Sequence, residues 1–212
     1  MGYHRAGFDE IVGVDIKPQP DYPFEFHQAD AMTFPLDGFD AVHASPPCQA
    51  FTQMSARWRG KGTKADEHQD FLTPMLERFR GLSTPWVVEN VPGAVRLMGR
   101  VLRLHGGMFG LGVHRPRLFA SNVLLLSMLA EQTRSPVGVY GKVDGRTTYR
   151  YRNNGNYKGK SLIRAWKSVE EGQTAMGIDW TDDARAIAEA IPPAYTEFIG
   201  RQLLAALNEA VA

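Results

Sequence analysis

The stretch Trp86-Val87-Val88-Glu89-Asn90-Val91 decides the fold of this chain. It is a short apolar run between two prolines, which is typical of a strand buried on both faces, and it ends in an acid and an amide. Similar runs predict five more strands, over residues 11–16, 24–28, 39–44, 101–104 and 117–120. Residues 66–79 carry apolar side chains at helical spacing. Strands that alternate with helices predict an α/β fold with a mostly parallel sheet.

The character of the sequence changes after residue 120. Residues 121–178 include a basic stretch rich in Gly, Asn and Tyr, which predicts a small separate lobe. A helix start follows at Thr181-Asp182-Asp183, and a last helix is predicted over 194–207. We therefore expect a core over 1–120, a small region over 121–178 and C-terminal helices over 179–212 that pack back on the core.

The charge of the chain is unevenly distributed. The 212 residues carry 24 Lys and Arg against 23 Asp and Glu, a formal net charge of +1. Residues 49–64 carry four bases and no acid, and residues 133–168 carry nine bases and one acid. Both ends of the chain are acidic. Two cationic blocks in an acidic chain favour a polyanionic partner, and the alternative is a solvated basic face.

Several classes of protein are excluded by composition. Cys48 is the single cysteine, which rules out an internal disulfide framework and a thiolate metal cluster. The six histidines show no metal-ligand spacing, so no metal is expected. The longest apolar stretch, residues 123–130, is too short to span a membrane, and no leader sequence is visible. We expect a cytoplasmic protein that contacts no membrane.

Three chemically useful side chains follow predicted strands. Asp15, Cys48 and Glu89 all stand at carboxyl ends, where open parallel sheets bind their ligands. A cysteine on a proline-stiffened turn is a candidate nucleophile, and a partly desolvated carboxyl is a candidate general acid. Alone, each has a simpler interpretation: a buried small hydrophobe for Cys48, a solvated or capping acid for the carboxyls.

Four segments of the chain resemble motifs of the cytosine-C5 DNA methyltransferases, and they occur in the same order as in that family. Ser45-Pro46-Pro47-Cys48-Gln49 is similar to the nucleophile loop, and Glu89-Asn90-Val91 to the strand end that partners it. Residues 109–119 resemble the segment that ends in Arg-x-Arg, and Ile191-Pro192-Pro193 resembles the last segment. The resemblance leaves out residues 121–178, where the family places its target-recognition region. It implies an S-adenosylmethionine-dependent methyltransferase-like (Rossmann-like) fold.

The resemblance also implies a reaction and its residues. The Cys48 thiolate would add to C6 of a cytosine flipped out of double-stranded DNA, and Glu89 would protonate N3. C5 would then accept the methyl group of S-adenosylmethionine. Arg117 and Arg115 would hold the cytosine carbonyl and orient Glu89, and Asn90 would brace the loop around Cys48. The enzyme would act as a monomer on DNA, in a bacterial or phage-infected cell or on the nucleoid.

Cofactor and DNA contacts follow in the same way. The cofactor's ribose and adenine would contact Asp15, Ile16 and Asp30, and Pro46 would lie near the methyl donor. The basic loop over 49–64 and the aromatic-interleaved stretch over 149–160 suit DNA contact. The residues expected at DNA are Gln49, Arg57, Arg59, Lys61, Arg150, Arg152, Asn154, Lys158 and Lys160.

The chain departs from the family at its start. It has no Phe-x-Gly-x-Gly loop, and it opens on residues that resemble the helix after that loop. The missing strand would lie beside the one that ends at Asp15. Three explanations of the missing strand are open: the natural protein is longer, a second polypeptide supplies the strand, or the chain is a degenerate relative. Two smaller departures are Val113, where the family usually has Gln, and Glu189, where it usually has Asn.

Two alternative functions stay open. The protein could be a non-catalytic DNA-binding or regulatory protein, or it could modify C5 of a free pyrimidine nucleotide.

Overall fold

The computed structural model describes residues 1–52, 61–62, 67–129, 136–141, 143–152 and 160–211. Its strands are β1 Val12–Asp15, β2 Glu25–Gln28, β3 Val42–Ala44, β4 Trp86–Asn90, β5 Leu102–Leu104, β6 Arg117–Ser121, β7 Val137–Gly138, β8 Thr148–Arg152 and β9 Lys160–Ala165. Its helices are α1 Gly2–Ala6, α2 Leu72–Arg80, α3 Val95–Met98, α4 Val169–Met176, α5 Ala184–Glu189 and α6 Pro193–Val211. Short 3₁₀ turns span Pro92–Ala94 and Gly106–Phe109.

All six strands predicted from apolar runs are present, each displaced by at most three residues at either end. The predicted helix over 66–79 begins only at Leu72. The reason is local, because Asp70 Oδ1 accepts the backbone N–H groups of Leu72 and Thr73. A carboxylate that satisfies the first free N–H groups fixes where a helix begins.

The strands form three hydrogen-bonded sheets. β1 and β2 form a parallel pair, and β3, β4, β6 and β5 form a four-stranded sheet in that order. β3 runs parallel to β4. On the other side of β4, β6 is antiparallel to β4, and β5 is antiparallel to β6. The third sheet has the order β7-β9-β8 and lies within the predicted small region. The strands that precede the predicted site residues, β1 to β4, are thus paired in parallel.

A gap separates β1 from β3. In a strand, alternate residues direct their backbone groups to opposite neighbours. The Asp15 carbonyl bonds towards β2 and the Val42 N–H towards β4, so Val12, Val14 and His43 face the gap. Among the described residues, no strand pairs with these edges. The β1/β3 gap, as we call it, lies where the resemblance places the missing strand.

Helix α1 lies in close contact with α6. A Cβ on Gly2 would stand 2.0 Å from Thr196 Oγ1, and one on Gly200 would stand 2.9 Å from the Tyr3 ring. Glycine is needed at both positions because any side chain would push the helices apart. This packing fixes Tyr3 over the sheet, where its ring stands edge-on to His43.

The four-stranded sheet is buried between two apolar layers. Helix α2 covers one face through Leu72, Met75, Leu76 and Phe79. Helix α6 covers the other through Tyr195, Ile199 and Leu203. In the described part of the chain, no helix combines the length and apolar character that crossing a membrane requires.

Candidate active site

One cavity of about 1090 Å³ opens at the carboxyl ends of β1 to β4. Its wall contains predicted residues from both halves of the site. The cofactor group contributes Asp15, Ile16, Asp30 and Pro46, and the reacting group contributes Cys48, Glu89, Arg115 and Arg117. The sequence placed these residues at strand ends, and the structure brings them to one wall.

The Cys48 turn is fixed from β4. Asn90 is fully buried, and its amide Nδ2 donates to the Pro46 carbonyl oxygen over 3.1 Å. Its Oδ1 accepts the Val91 N–H, so both ends of the side chain are engaged. The Phe51 N–H closes the turn on the Cys48 carbonyl. Asn90 therefore contacts the loop that the family resemblance implies it would brace.

The Cys48 thiol is half-buried, and burial raises its pKa. The Arg117 guanidinium lowers that pKa and the Glu89 carboxyl raises it, but burial has the larger effect. Nearby cations favour a thiolate, and here they only partly offset the desolvation of the sulfur.

Glu89 is 6% exposed, and its burial raises the pKa of the carboxyl. Arg117, then Arg115 and a hydrogen bond from Ser45 oppose the rise. Arg117 Nε lies 2.8 Å from Oε1, yet no described donor directs a hydrogen bond at that oxygen. Glu89 thus combines a raised pKa with a buried oxygen that is ion-paired with Arg117 and receives no in-line hydrogen bond from the described residues.

Arg115 is part of the cavity wall but is held by backbone carbonyls. Its Nε and Nη groups donate to the Val139, Ala188 and Ala190 oxygens over 2.6–3.0 Å. It is 2% exposed and has a φ of 35°, in the left-handed region. Its guanidinium also stands 5.5 Å from the centre of the Tyr140 ring. Arg115 therefore joins the core to the small region and to the segment before α6.

We expect Arg115→Ala to lower the free energy of unfolding by about 3–5 kcal/mol, because three carbonyls lose their donor and a buried volume is emptied. For a chain of this size, the thermal midpoint should fall by roughly 10 °C. Arg185→Ala is the control, since the Arg185 side chain is 71% exposed and pairs with Glu189 at the surface. Equal midpoints for the two variants would contradict a structural role for Arg115.

The cofactor end is polar and open. Asp15 accepts the Lys17 N–H over 2.8 Å and the Gln19 amide over 3.3 Å. Asp30 Oδ1 accepts the Met32 N–H over 2.8 Å. Ile16, which follows Asp15, is 68% exposed and lines the cavity. An exposed aliphatic surface in a cavity with two carboxylate acceptors suits a flat ring that carries hydroxyl and amino donors.

The residues predicted at DNA are only partly described. Gln49 lies at the cavity wall, and Lys61 is exposed. Arg150 and Arg152 are on β8, and Arg152 pairs in register with Lys160 at the start of β9. The remaining four, Arg57, Arg59, Asn154 and Lys158, lie outside the described residues. DNA contact by this set stays a prediction.

Sequence reasoning missed one part of the site. The sequence motifs include Ser45 in the segment before Cys48 but do not point to Tyr3 or His43. The structure joins Tyr3 to His43, and His43 to Ser45. The available signal was the position of Ser45, directly before the proline pair and two residues after His43 in a strand that reaches the cavity.

Comparisons with known proteins identify the fold. No protein-family model matches the chain, and no curated protein sequence does. Among solved structures, the chain is similar to a proposed DNA modification methyltransferase encoded within an E. coli prophage. That match has a TM-score of 0.59 and 14% identity over 98% of this chain and 95% of the other. The Entamoeba histolytica methyltransferase EhMeth matches with a TM-score of 0.53 and 11% identity, over 100% and 94%. The chain therefore has the α/β fold of these methyltransferases.

Proposed function

We propose that this protein is a DNA (cytosine-5)-methyltransferase that uses S-adenosylmethionine. The observation that carries the proposal is the shared cavity, which has a cysteine, a raised-pKa glutamate and an arginine at one end. Its other end has Asp15, Ile16 and Asp30. The fold shared with two methyltransferases supports the proposal independently.

The residues of the cofactor end fit an adenosine. Asp15 would accept from the ribose hydroxyls, Ile16 would lie against the adenine ring, and Asp30 would accept from the amino group. Pro46 is buried at the cavity wall between this end and Cys48, where a methyl donor would stand. S-adenosylmethionine, when bound, supplies an electrophilic methyl group.

The reacting end fits addition to cytosine. Cys48 loses its proton to solvent, and its sulfur bonds to C6 as Glu89 gives a proton to N3. The electron pair so made available would make C5 the nucleophile towards the methyl group that S-adenosylmethionine, held by Asp15, Ile16 and Asp30, would supply. C5 then loses its proton to solvent, the C6–sulfur bond breaks to give back the Cys48 thiolate, and the N3 proton returns to Glu89. Neither face of C6 is open within a duplex, so the base must be flipped out.

Methyl transfer to defined substrates tests the proposal. The chain is incubated with labelled S-adenosylmethionine and either duplex DNA or free cytidine nucleotides, and the DNA is hydrolysed to identify the methylated base. Label in 5-methylcytosine from the duplex supports the proposal. Label only in free nucleotides supports pyrimidine modification, and DNA binding without cofactor uptake supports the non-catalytic alternative. Either of these results would overturn the proposal.

We also propose that a second polypeptide supplies a strand in the β1/β3 gap. Val12, Val14 and His43 present backbone groups to the gap from both sides, and all three line the cavity. A parallel strand that is buried on both faces is a continuous apolar run. Such a strand would end beside Asp15 and Ser45, at the part of the cavity between the adenosine residues and Cys48.

A peptide with a central run of four to six Val and Ile residues should therefore stabilise the protein. We expect the thermal midpoint to rise by about 5 °C at saturation. The amide protons of Val12, Val14 and His43 should exchange more slowly in its presence. The control peptide has proline at its centre, which removes a ladder donor. Equal effects of both peptides, or no effect of either, would refute strand pairing.

A further inference from the structure

A row of hydrogen-bonded side chains leads from α1 to the Glu89 carboxyl. The Tyr3 hydroxyl bonds to His43 Nδ1, and His43 Nε2 lies 3.0 Å from Ser45 Oγ. The Ser45 hydroxyl bonds to the Glu89 side chain. The row crosses from α1 over β3 to β4, and the mechanism above uses only its last member.

Each hydrogen bond in this row is donated in the same direction, from Tyr3 towards Glu89. Burial raises the pKa of Tyr3, so its phenol keeps its proton and donates to Nδ1. Burial lowers the pKa of His43 to about 4, so the imidazole is neutral at neutral pH. A neutral imidazole has one N–H, which must then be on Nε2 and donate to Ser45 Oγ. The Ser45 proton is left to donate to Glu89.

The surroundings of the row are aromatic at His43 and polar at Glu89, and Ser45 between them is exposed. The rings that stand against His43 belong to Tyr3 and Phe119. The groups that face Glu89 are the guanidiniums of Arg117 and Arg115, the Cys48 thiol and the Ser45 hydroxyl. Hydrogen bonds that follow one another in a row polarise each other.

We propose that Tyr3, His43 and Ser45 are positioning residues that direct a donor at the Glu89 carboxyl and so leave its other oxygen for the substrate. The role of that oxygen rests on the proposed function, whereas the donor chain does not. Burial alone would make Glu89 a weak acid. A donor aimed at its ionised form opposes this effect and makes its proton easier to transfer at neutral pH.

Titration of Glu89 tests the chain directly, without cofactor or DNA. Glutamate side chains are labelled with ¹³C, and Glu89→Gln identifies the Glu89 signal. Tyr3→Phe and Ser45→Ala should each raise the titration midpoint of Glu89, and Ser45→Thr should restore it because the hydroxyl is kept. The controls are Tyr22→Phe, whose ring packs against Phe26 of β2, and Ser127→Ala, whose hydroxyl donates to the carbonyl of its neighbour Met128.

The outcomes separate this proposal from the proposed function. If the Glu89 midpoint is unchanged in Tyr3→Phe, and the amide spectrum shows that this variant is folded, the proposed role of the hydrogen-bonded row is overturned, whatever the methyltransferase activity. Raised midpoints without methyl transfer by the parent support the chain and count against the proposed reaction. Where the parent methylates DNA, Tyr3→Phe should lower kcat on the order of tenfold. It should leave the KM for DNA unchanged and shift the alkaline limb of the pH profile upwards.

Discussion

Cys48→Ala should transfer methyl groups to duplex DNA at least about a thousandfold more slowly than the parent. The sulfur of Cys48 supplies the electron pair that activates C5, and Cys48 is the single cysteine in the sequence. A duplex with 5-fluorocytosine makes the test sharper, because fluorine at C5 blocks the final elimination. With S-adenosylmethionine present, the parent should form an adduct that survives denaturing electrophoresis.

The adduct should be absent in Cys48→Ala, while DNA binding persists. Ser127→Ala is a matched control, because its side chain is exposed and far in sequence from the Cys48 turn. An adduct in Cys48→Ala, or full methyl transfer by it, would sink the covalent mechanism. Loss of DNA binding as well as activity would point to damage to the turn rather than to loss of the nucleophile.

Glu89→Gln should lower kcat by about a hundredfold to ten-thousandfold, the usual contribution of a general acid. The parent should show a bell-shaped pH profile. The carboxyl must be protonated, so activity falls as pH rises through the pKa of Glu89, which burial raises. The thiol must be ionised, so activity falls as pH drops through the pKa of Cys48. Glu89→Gln should lose the alkaline limb.

The Glu89→Gln variant also allows a separate test of how Glu89 affects the pKa of the Cys48 thiol. The Glu89 carboxylate raises the pKa of the thiol, so Glu89→Gln should lower it and increase alkylation of Cys48 by iodoacetamide at neutral pH. Arg117→Gln should do the opposite, because Arg117 lowers that pKa. Identical alkylation rates in all three proteins would contradict the coupling of the three side chains. Glu89→Gln should also unfold at a lower temperature than the parent, because the buried Arg117 guanidinium loses its carboxylate partner.

The sequence was sufficient to predict the elements that carry the site. Apolar runs bounded by prolines locate β3 and β4, because a short run of this kind has few other structures available. The side chains that follow those runs then come together at one end of the sheet. The direction of β5 and β6 was not predictable in this way. Apolar periodicity reports burial and says nothing about strand direction, so the antiparallel part of the sheet emerged only from the structure.

Electrostatic environment was the least predictable property. Bases are close to Cys48 in sequence. The pKa of the thiol depends instead on the burial of the sulfur and on Arg117 and Arg115, which are far along the chain. The Tyr3–His43 contact spans 40 residues, and the partners of Arg115 are 24 to 75 residues away. Such contacts depend on helix packing that no local pattern encodes.

The backbone contacts of Arg115 determine which positions a transplanted small region would have to preserve. What Arg115 recognises at Val139, Ala188 and Ala190 is backbone oxygen, which every amino acid provides. The contact itself therefore constrains backbone positions rather than side chains, except at Tyr140, whose ring lies against the guanidinium. A graft of the sheet β7-β9-β8 should keep this attachment to the core if it preserves the Val139 carbonyl and an aromatic ring at position 140.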